Sequence, residues 1–418
     1  MRTITRGLAV LVLGLAGCSA SAGEQPAPQQ TAGLVATTIT ATGQAPFDQD
    51  RTLLAPPGWT VSVFARVESA RLLAWTPDDQ LLVSRPKFGD VISLGSSRKT
   101  LLSGLNQPHG LAFDGDTLYV AESDQVNAYT YKSGVVSARK IVVDDLPDAK
   151  SPELRGAYSH ALKSVTVGKD GSIYVSVGST GNISAADREA TPERASILKV
   201  APGGGKPTVY ARGVRNGTGL AVDPDGAVWT AVNHRDNVGL PADGYGGYKH
   251  DVVQEYVNDH PMEQLARLTE GRELGWPYCN PDPQLEPTVS YSNRPFLRDV
   301  QTNPDGAKLD CGSLPPTEQG MGAHSAPLGL SFVTVPEPGA LVGIHGSWNR
   351  RPPRPPEVSF YAWKNGTLGP QQTLLTGFQL KDGSRWGRPV MAVQGTDGAL
   401  YVSDDQAGAI YRVTTGKT

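Results

Sequence analysis

Several things are scarce in this sequence, and each scarcity narrows the reading. Basic excess is missing: 38 Lys and Arg stand against 41 Asp and Glu, a formal net charge of −3 over 418 residues. Nothing there attracts phosphate, so nucleic acid is not expected as a partner. Long helical periodicity is missing too, beyond about two turns, except over "HPMEQLARLTEG", which has helical spacing. Apolar runs are short, and the longest, "GLAVLVLGLAG" at residues 7–17, is too brief to cross a bilayer comfortably. Cysteine occurs three times and charged residues make up only 19%. What abounds is turn chemistry, with 48 Gly and 33 Pro, which points to many short elements.

The N-terminus reads as a targeting segment: Arg2 and Arg6, then the apolar run, then "LAGC". That ending resembles a bacterial lipoprotein box, which implies cleavage before Cys18 and lipid on that residue. An ordinary secretory signal with a chance cysteine is the alternative. Either way the chain is expected outside the cytoplasm, in the cell envelope or periplasm, touching membrane only through the lipid. Residues 19–50 are small, polar and Pro-containing, and read as a flexible tether ahead of a folded domain over 51–418. In an exported chain the remaining pair, Cys279 in "GWPYCNPDP" and Cys311 in "KLDCGSLPP", is expected as a disulfide rather than a metal site. Two buried free thiols are the alternative.

One pattern recurs along the chain. "PDDQLLVSR", "GDTLYVAES", "KDGSIYVSVG", "PDGAVWTAV", "EPGALVGIH" and "TDGALYVSD" each place a turn of Asp, Gly or Pro before an alternating run. A short apolar run usually precedes each, and a third often follows, as in "QVNAYTY", "SILKVAP", "EVSFYAW" and "AIYRVTT". A spacing of mostly about 40 to 60 residues is that of propeller blades, which bury their faces only when arranged around an axis. The expectation is an all-β, six-bladed propeller with long inserted loops, the longest from about Asn233 to Pro327. Propellers use the loops at one mouth of the channel for chemistry. Loops flanking the repeats hold His160 and Lys163, Arg215 and Asn216, Arg235 and Asp236, His345 with Arg350, Arg351 and Arg354, and Arg385 with Arg388. A base, guanidiniums and a carboxylate converging there suit an anionic ligand held beside a group that loses a proton.

Five stretches carry a more specific resemblance: "HALKSVTVGKDGSIYVSVGSTGN", "RNGTGLAVDPDGAVW", "LGWPYC", "HGSWNR" and "WGRPVMAVQGTDGALYVSDD". In this order, across about Pro57 to Val413, the chain resembles the soluble PQQ-dependent glucose/sorbosone dehydrogenases, leaning to the sorbosone-type branch. The resemblance implies hydride transfer from a sugar, an aldehyde or a polyol to pyrroloquinoline quinone (PQQ), and onward transfer to an external electron acceptor. It implies His160 as catalytic base, and Arg215 and Asn216 against the cofactor and its developing charge. Arg350 and Arg388 would meet the three PQQ carboxylates, and Arg235 and Asp236 would bind calcium largely through backbone carbonyls. Ser159 stands where the glucose oxidisers place an acid before the histidine. Two rival readings fit the same fold class: a calcium-dependent lactonase using Asp236, Asn216 and Asp404, and a non-catalytic binding propeller. Trp276 and Trp348 are expected to pack the loops.

Overall fold

A computed structural model describes residues 31–241 and 251–416. The signal-like segment and Cys18 lie outside the described residues. The turns behave as their residues dictate. In "DPDG", Asp223 accepts the Ala227 N–H (2.8 Å) and the Trp229 indole N–H (2.8 Å), and Gly226 takes φ +99°. A side chain is disfavoured at that φ, so glycine closes the hairpin.

Among the described residues six sheets have four or more strands, beside one two-stranded ribbon. The first joins Leu73–Trp75, Leu81–Arg85, Asp90–Leu94 and Arg98–Leu102, and the second Leu111–Asp114, Thr117–Ala121, Val126–Lys132 and Val135–Val143. The third joins Val165–Val167, Ile173–Val177, Ser196–Val200 and Thr208–Arg212, with Arg272–Glu273 added parallel at its edge. The fourth is Gly219–Val222, Val228–Val232, Glu263–Leu268 and Gln319–Met321. The fifth is Pro327–Val333, Gly339–Ile344, Glu357–Lys364 and Gln372–Thr376, extended outward by Arg51–Ala55 and Val35–Ile39. The sixth takes Pro389–Gln394, Leu400–Asp404 and Ala409–Thr414 from the C-terminus and Thr60–Arg66 from the N-terminus. The first strand of each sheet packs on its counterparts in the sheets before and after. This is an all-β propeller, closed by pairing the two ends of the chain. The second strands are almost wholly buried, because each sheet is covered on both faces by its neighbours.

Three expectations change. The presumed tether is folded from residue 35: Val35–Ile39 pairs with Arg51–Ala55, and Phe47 is fully buried against Trp386 and Tyr411. Its β-branched "VATTI" suits an edge strand, and a large aromatic anchors the turn. "EQLARL" is a strand rather than a helix, since Val228–Val232 and Gln319–Met321 claim its two edges. The long insertion is therefore partly blade. Cys279 and Cys311 are joined by a disulfide (Cα–Cα 5.6 Å), packed with Phe296 where regular structure is sparse.

Candidate active site

Every sheet sends a loop into its first strand at the same mouth of the ring. These loops carry, in turn, Arg71, His109, His160, Arg215 with Asn216, His324 and Arg388. The turns leaving the second strands add Ser179, His234 to Asp236, His345 and Asp405. The strands between are apolar and buried, so polar groups gather where the strands end.

His160 sits half-buried. Its Nδ1 lies 3.0 Å from the Ser179 carbonyl and 2.9 Å from the Ser179 hydroxyl, which itself donates to the Gly181 carbonyl (2.7 Å). A carbonyl oxygen only accepts, so Nδ1 carries the proton and the Nε2 lone pair is left over. No partner for Nε2 occurs among the described residues. Burial first, and the Arg215 charge second, push this imidazole down to about 3, so it is neutral near pH 7. Gly178 permits the arrangement: a Cβ there would stand 2.6 Å from His160 Cβ and 3.2 Å from Asn216 Oδ1. Only a bare backbone lets His160 and Asn216 come this close.

Arg215 is buried and heavily engaged. Its Nη1 donates to the carbonyls of Asn233 (3.1 Å) and His234 (2.7 Å), and Nη2 donates to Asn182 Oδ1 (3.1 Å). The Asp236 carboxylate lies 3.8 Å from Nη2 and 3.3 Å from His324 Nδ1. Asn182 is the clamp: Oδ1 also accepts the Asp236 N–H (2.8 Å), and Nδ2 donates to the Asp236 carbonyl (2.8 Å). Fully buried Trp276 donates to the Asn182 carbonyl (3.1 Å), as expected of a packing tryptophan. Beneath them Glu263 accepts the His234 N–H (2.5 Å), and burial pushes its carboxyl up to about 7.

Across the mouth, Asp405 accepts from Arg71 (2.7 Å) and from His345 Nε2 (2.9 Å). Burial opposes the Asp405 charge, but His345 and Arg71 hold the carboxyl well below its usual range. Burial still pushes His345 down to about 4. Arg71 also donates to His109 Nε2 (3.4 Å), whose Nδ1 faces the Lys163 carbonyl (3.3 Å). Arg388 donates through Nε to the His345 carbonyl (3.0 Å) and forms no ion pair among the described residues. Arg71, Asp405 and Asn182 were absent from the sequence reading. His109 and His324 were not chosen either, although both precede first strands, a position that marks the mouth.

Other expected site residues lie elsewhere or do other work. Arg350 pairs with Asp259 (3.1 Å) and lines a cavity with Arg354 and Tyr291. The inserted segment supplies the carboxylate that draws it there. The Arg235 side chain is fully buried in an ion pair with Asp299 and donates to Gln301 Oε1 (2.5 Å), bracing the insertion. Lys163 is fully buried, donating to the Pro147 carbonyl (2.8 Å), and burial pushes it down to about 7. Asp404 is spent on the N–H groups of Arg388 (2.9 Å) and Ala407 (2.8 Å) and on Tyr411, so its carboxylate is already occupied, which weakens the lactonase reading. Trp348, expected to pack, is 74% exposed.

The residues present fit the two implied groups unequally. Half-buried Arg388, without a carboxylate partner, suits an anionic ligand such as the carboxylate-bearing PQQ. The loop 233–236 does not offer an open cage for calcium. Its Asn233 and His234 carbonyls already accept from Arg215, and that of Asp236 accepts from Asn182. No group of three or more His, Cys, Asp or Glu that could hold a metal occurs among the described residues. No step is derived through calcium.

Likeness to known proteins agrees with this layout. An uncharacterised protein of Borreliella burgdorferi is 23% identical over 382 residues, covering 87% of this chain and 90% of its own length. The pyrroloquinoline quinone-dependent pyranose dehydrogenase of Coprinopsis cinerea is 23% identical over 408 residues, covering 78% of this chain. The match spans 55% of that relative's length, so it concerns only about half of it. The holo structure of the PQQ domain of Coprinopsis cinerea pyranose dehydrogenase superposes with a TM-score of 0.73 at 20% identity, covering 90% of this chain and all of that one. Residues 53–416 match the TrAA12-like family, and the chain belongs to it.

Proposed function

We propose that this protein is a PQQ-dependent dehydrogenase that oxidises a hydroxyl of a sugar, or of a related aldehyde hydrate or polyol, with His160 as general base. The reading takes each large sheet as one blade, which makes the propeller six-bladed with the mouth as active site. The observation that carries it is the neutral His160 imidazole, whose Nε2 lone pair has no partner among the described residues. Family membership and the curated quinoprotein relative support it.

The cofactor would supply the electron sink that side chains lack. The chain's own residues do the rest. Arg388 would pair with a cofactor carboxylate. His160 Nε2 takes the hydroxyl proton, while Ser179 holds Nδ1–H and so fixes the tautomer. Arg215 keeps the loop 233–236 in place through its hydrogen bonds to that loop's carbonyls, and its charge favours negative charge at the mouth. Asn216, held beside His160 by Gly178, offers its amide to the same place. Export with a lipid on Cys18 and an external electron acceptor belong to the same proposal. Partition into the detergent phase, lost on Cys18→Ser, tests the anchor.

The function is tested by mixing purified protein with PQQ and following the cofactor's absorption. Saturable binding and its bleaching by an aldose, without added acceptor, is the expected result. Failure of PQQ to bind would reject the reading.

A further inference from the structure

A cavity of about 850 Å³ lies off the propeller axis, between the first and sixth sheets and the N-terminal segment. Its walls include Arg66, Arg85, Arg98, Arg385 and Trp386, and it reaches the mouth at Asp405. Its acids are already matched. Asp48 lies 3.8 Å from Arg51, Glu68 pairs with Lys87 (2.9 Å), and Asp405 pairs with Arg71 (2.7 Å). Arg85 is chelated by Asp90 (2.8 and 2.5 Å).

Three guanidiniums remain without an ion pair among the described residues. Arg66 donates to the carbonyls of Ala45 (2.9 Å) and Gly408 (3.2 Å), and Arg98 to that of Arg66 (3.0 Å). Arg385 donates to Gln379 Oε1 (2.9 Å) and the Arg354 carbonyl (3.2 Å). Burial, then the neighbouring Arg388, push the Arg385 guanidinium down from its ordinary value. A chain of net charge −3 thus keeps a positive cleft against its mouth. Clustered unpaired charge of one sign concentrates a counter-ion and raises its rate of encounter.

We infer that this arginine cleft is the docking site of a small anionic electron acceptor, which collects electrons at the mouth. The inference rests on the dehydrogenase reading, since only a dehydrogenase must hand electrons on. The electrons balance with hexacyanoferrate(III) as probe. An aldose hemiacetal becoming its lactone loses two electrons and two protons. Two hexacyanoferrate(III) ions gain one electron each, and both protons end in solvent, that of the hydroxyl by way of His160.

Arg98 is the residue to change, because it is exposed and ties down only one carbonyl. Lys99 is the control: it follows on the same strand, faces the other way, and donates to the Gly134 carbonyl (2.7 Å). Hexacyanoferrate(II), titrated calorimetrically at low salt, should bind wild type and Lys99→Glu equally. It should bind Arg98→Glu about fivefold or more weakly, and the difference should shrink at high salt. With the PQQ-loaded protein, kcat/KM for hexacyanoferrate(III) should fall similarly in Arg98→Glu, with that for a neutral quinone unchanged. Equal behaviour of the two variants, or equal loss with both acceptors, would overturn the proposal. Anion binding without any sugar oxidation would overturn the dehydrogenase reading and the acceptor role with it. Sugar oxidation without Arg98-sensitive binding would overturn the docking site alone.

Discussion

The two sides of the mouth use the same residue type in opposite ways. His160 and His345 both stand at strand ends, and burial makes both neutral near pH 7. His345 directs Nε2–H at Asp405, which Arg71 shares, so its outward nitrogen is consumed by a charged network. His160 leans instead on a backbone carbonyl through Nδ1, and Nε2 is left to act. Burial keeps both rings neutral, and the partner decides which nitrogen carries the proton. A carboxylate secures an imidazole as structure, and a carbonyl orients it as a tool.

The largest effect expected is therefore on turnover. His160→Ala should lower kcat by about 10² to 10⁴ with PQQ affinity nearly unchanged, the range for a positioned base. His345→Ala should lower it by less than about tenfold, and comparable losses at both sites would erase the distinction. Next comes the brace of the insertion. Cys279→Ser with Cys311→Ser opens a loop of separation 32, which holds Asp299 and through it Arg235. The cost expected is about 3 to 4 kcal/mol in denaturant unfolding, and a loss under 1 kcal/mol would show that the brace is idle. Asn182→Ala removes the clamp between Arg215 and Asp236 and should cost about 1 to 3 kcal/mol, with a fall in kcat rather than a rise in KM. The smallest effect is on pH. The acid limb of kcat/KM should be absent between pH 8 and 5 where His160 governs it, because the imidazole stays neutral until about 3.

The repeats were legible because turns and alternation are local. Each "DG" or "DPDG" hairpin lies where its residues placed it, and the third strands at "SILKV" and "EVSFYAW" follow. "EQLARL" misled because Glu, Gln, Ala, Arg and Leu favour helices in isolation, whereas its strand state is set by partners on either side. His160, Arg215 and Asn216 were singled out from family landmarks, and Gly178 shows why His160 and Asn216 adjoin. Arg71 with Asp405 was not, since 334 positions separate the pair and only ring closure brings them together. The pair of Arg350 with Asp259 was not legible either, since 91 positions separate the two.

Nitrogen-15 NMR of the imidazoles, with His160→Gln supplying the assignment, reads the protonation of the His160 ring directly. His160 should show a neutral Nδ1–H tautomer, unchanged from pH 8 to pH 4. Its folded value lies below the unfolded one, so its share of stability is complete above about pH 6.5 and is lost as pH falls toward 3. A His160 signal that titrates near 6.5, or that carries its proton on Nε2, would contradict the account.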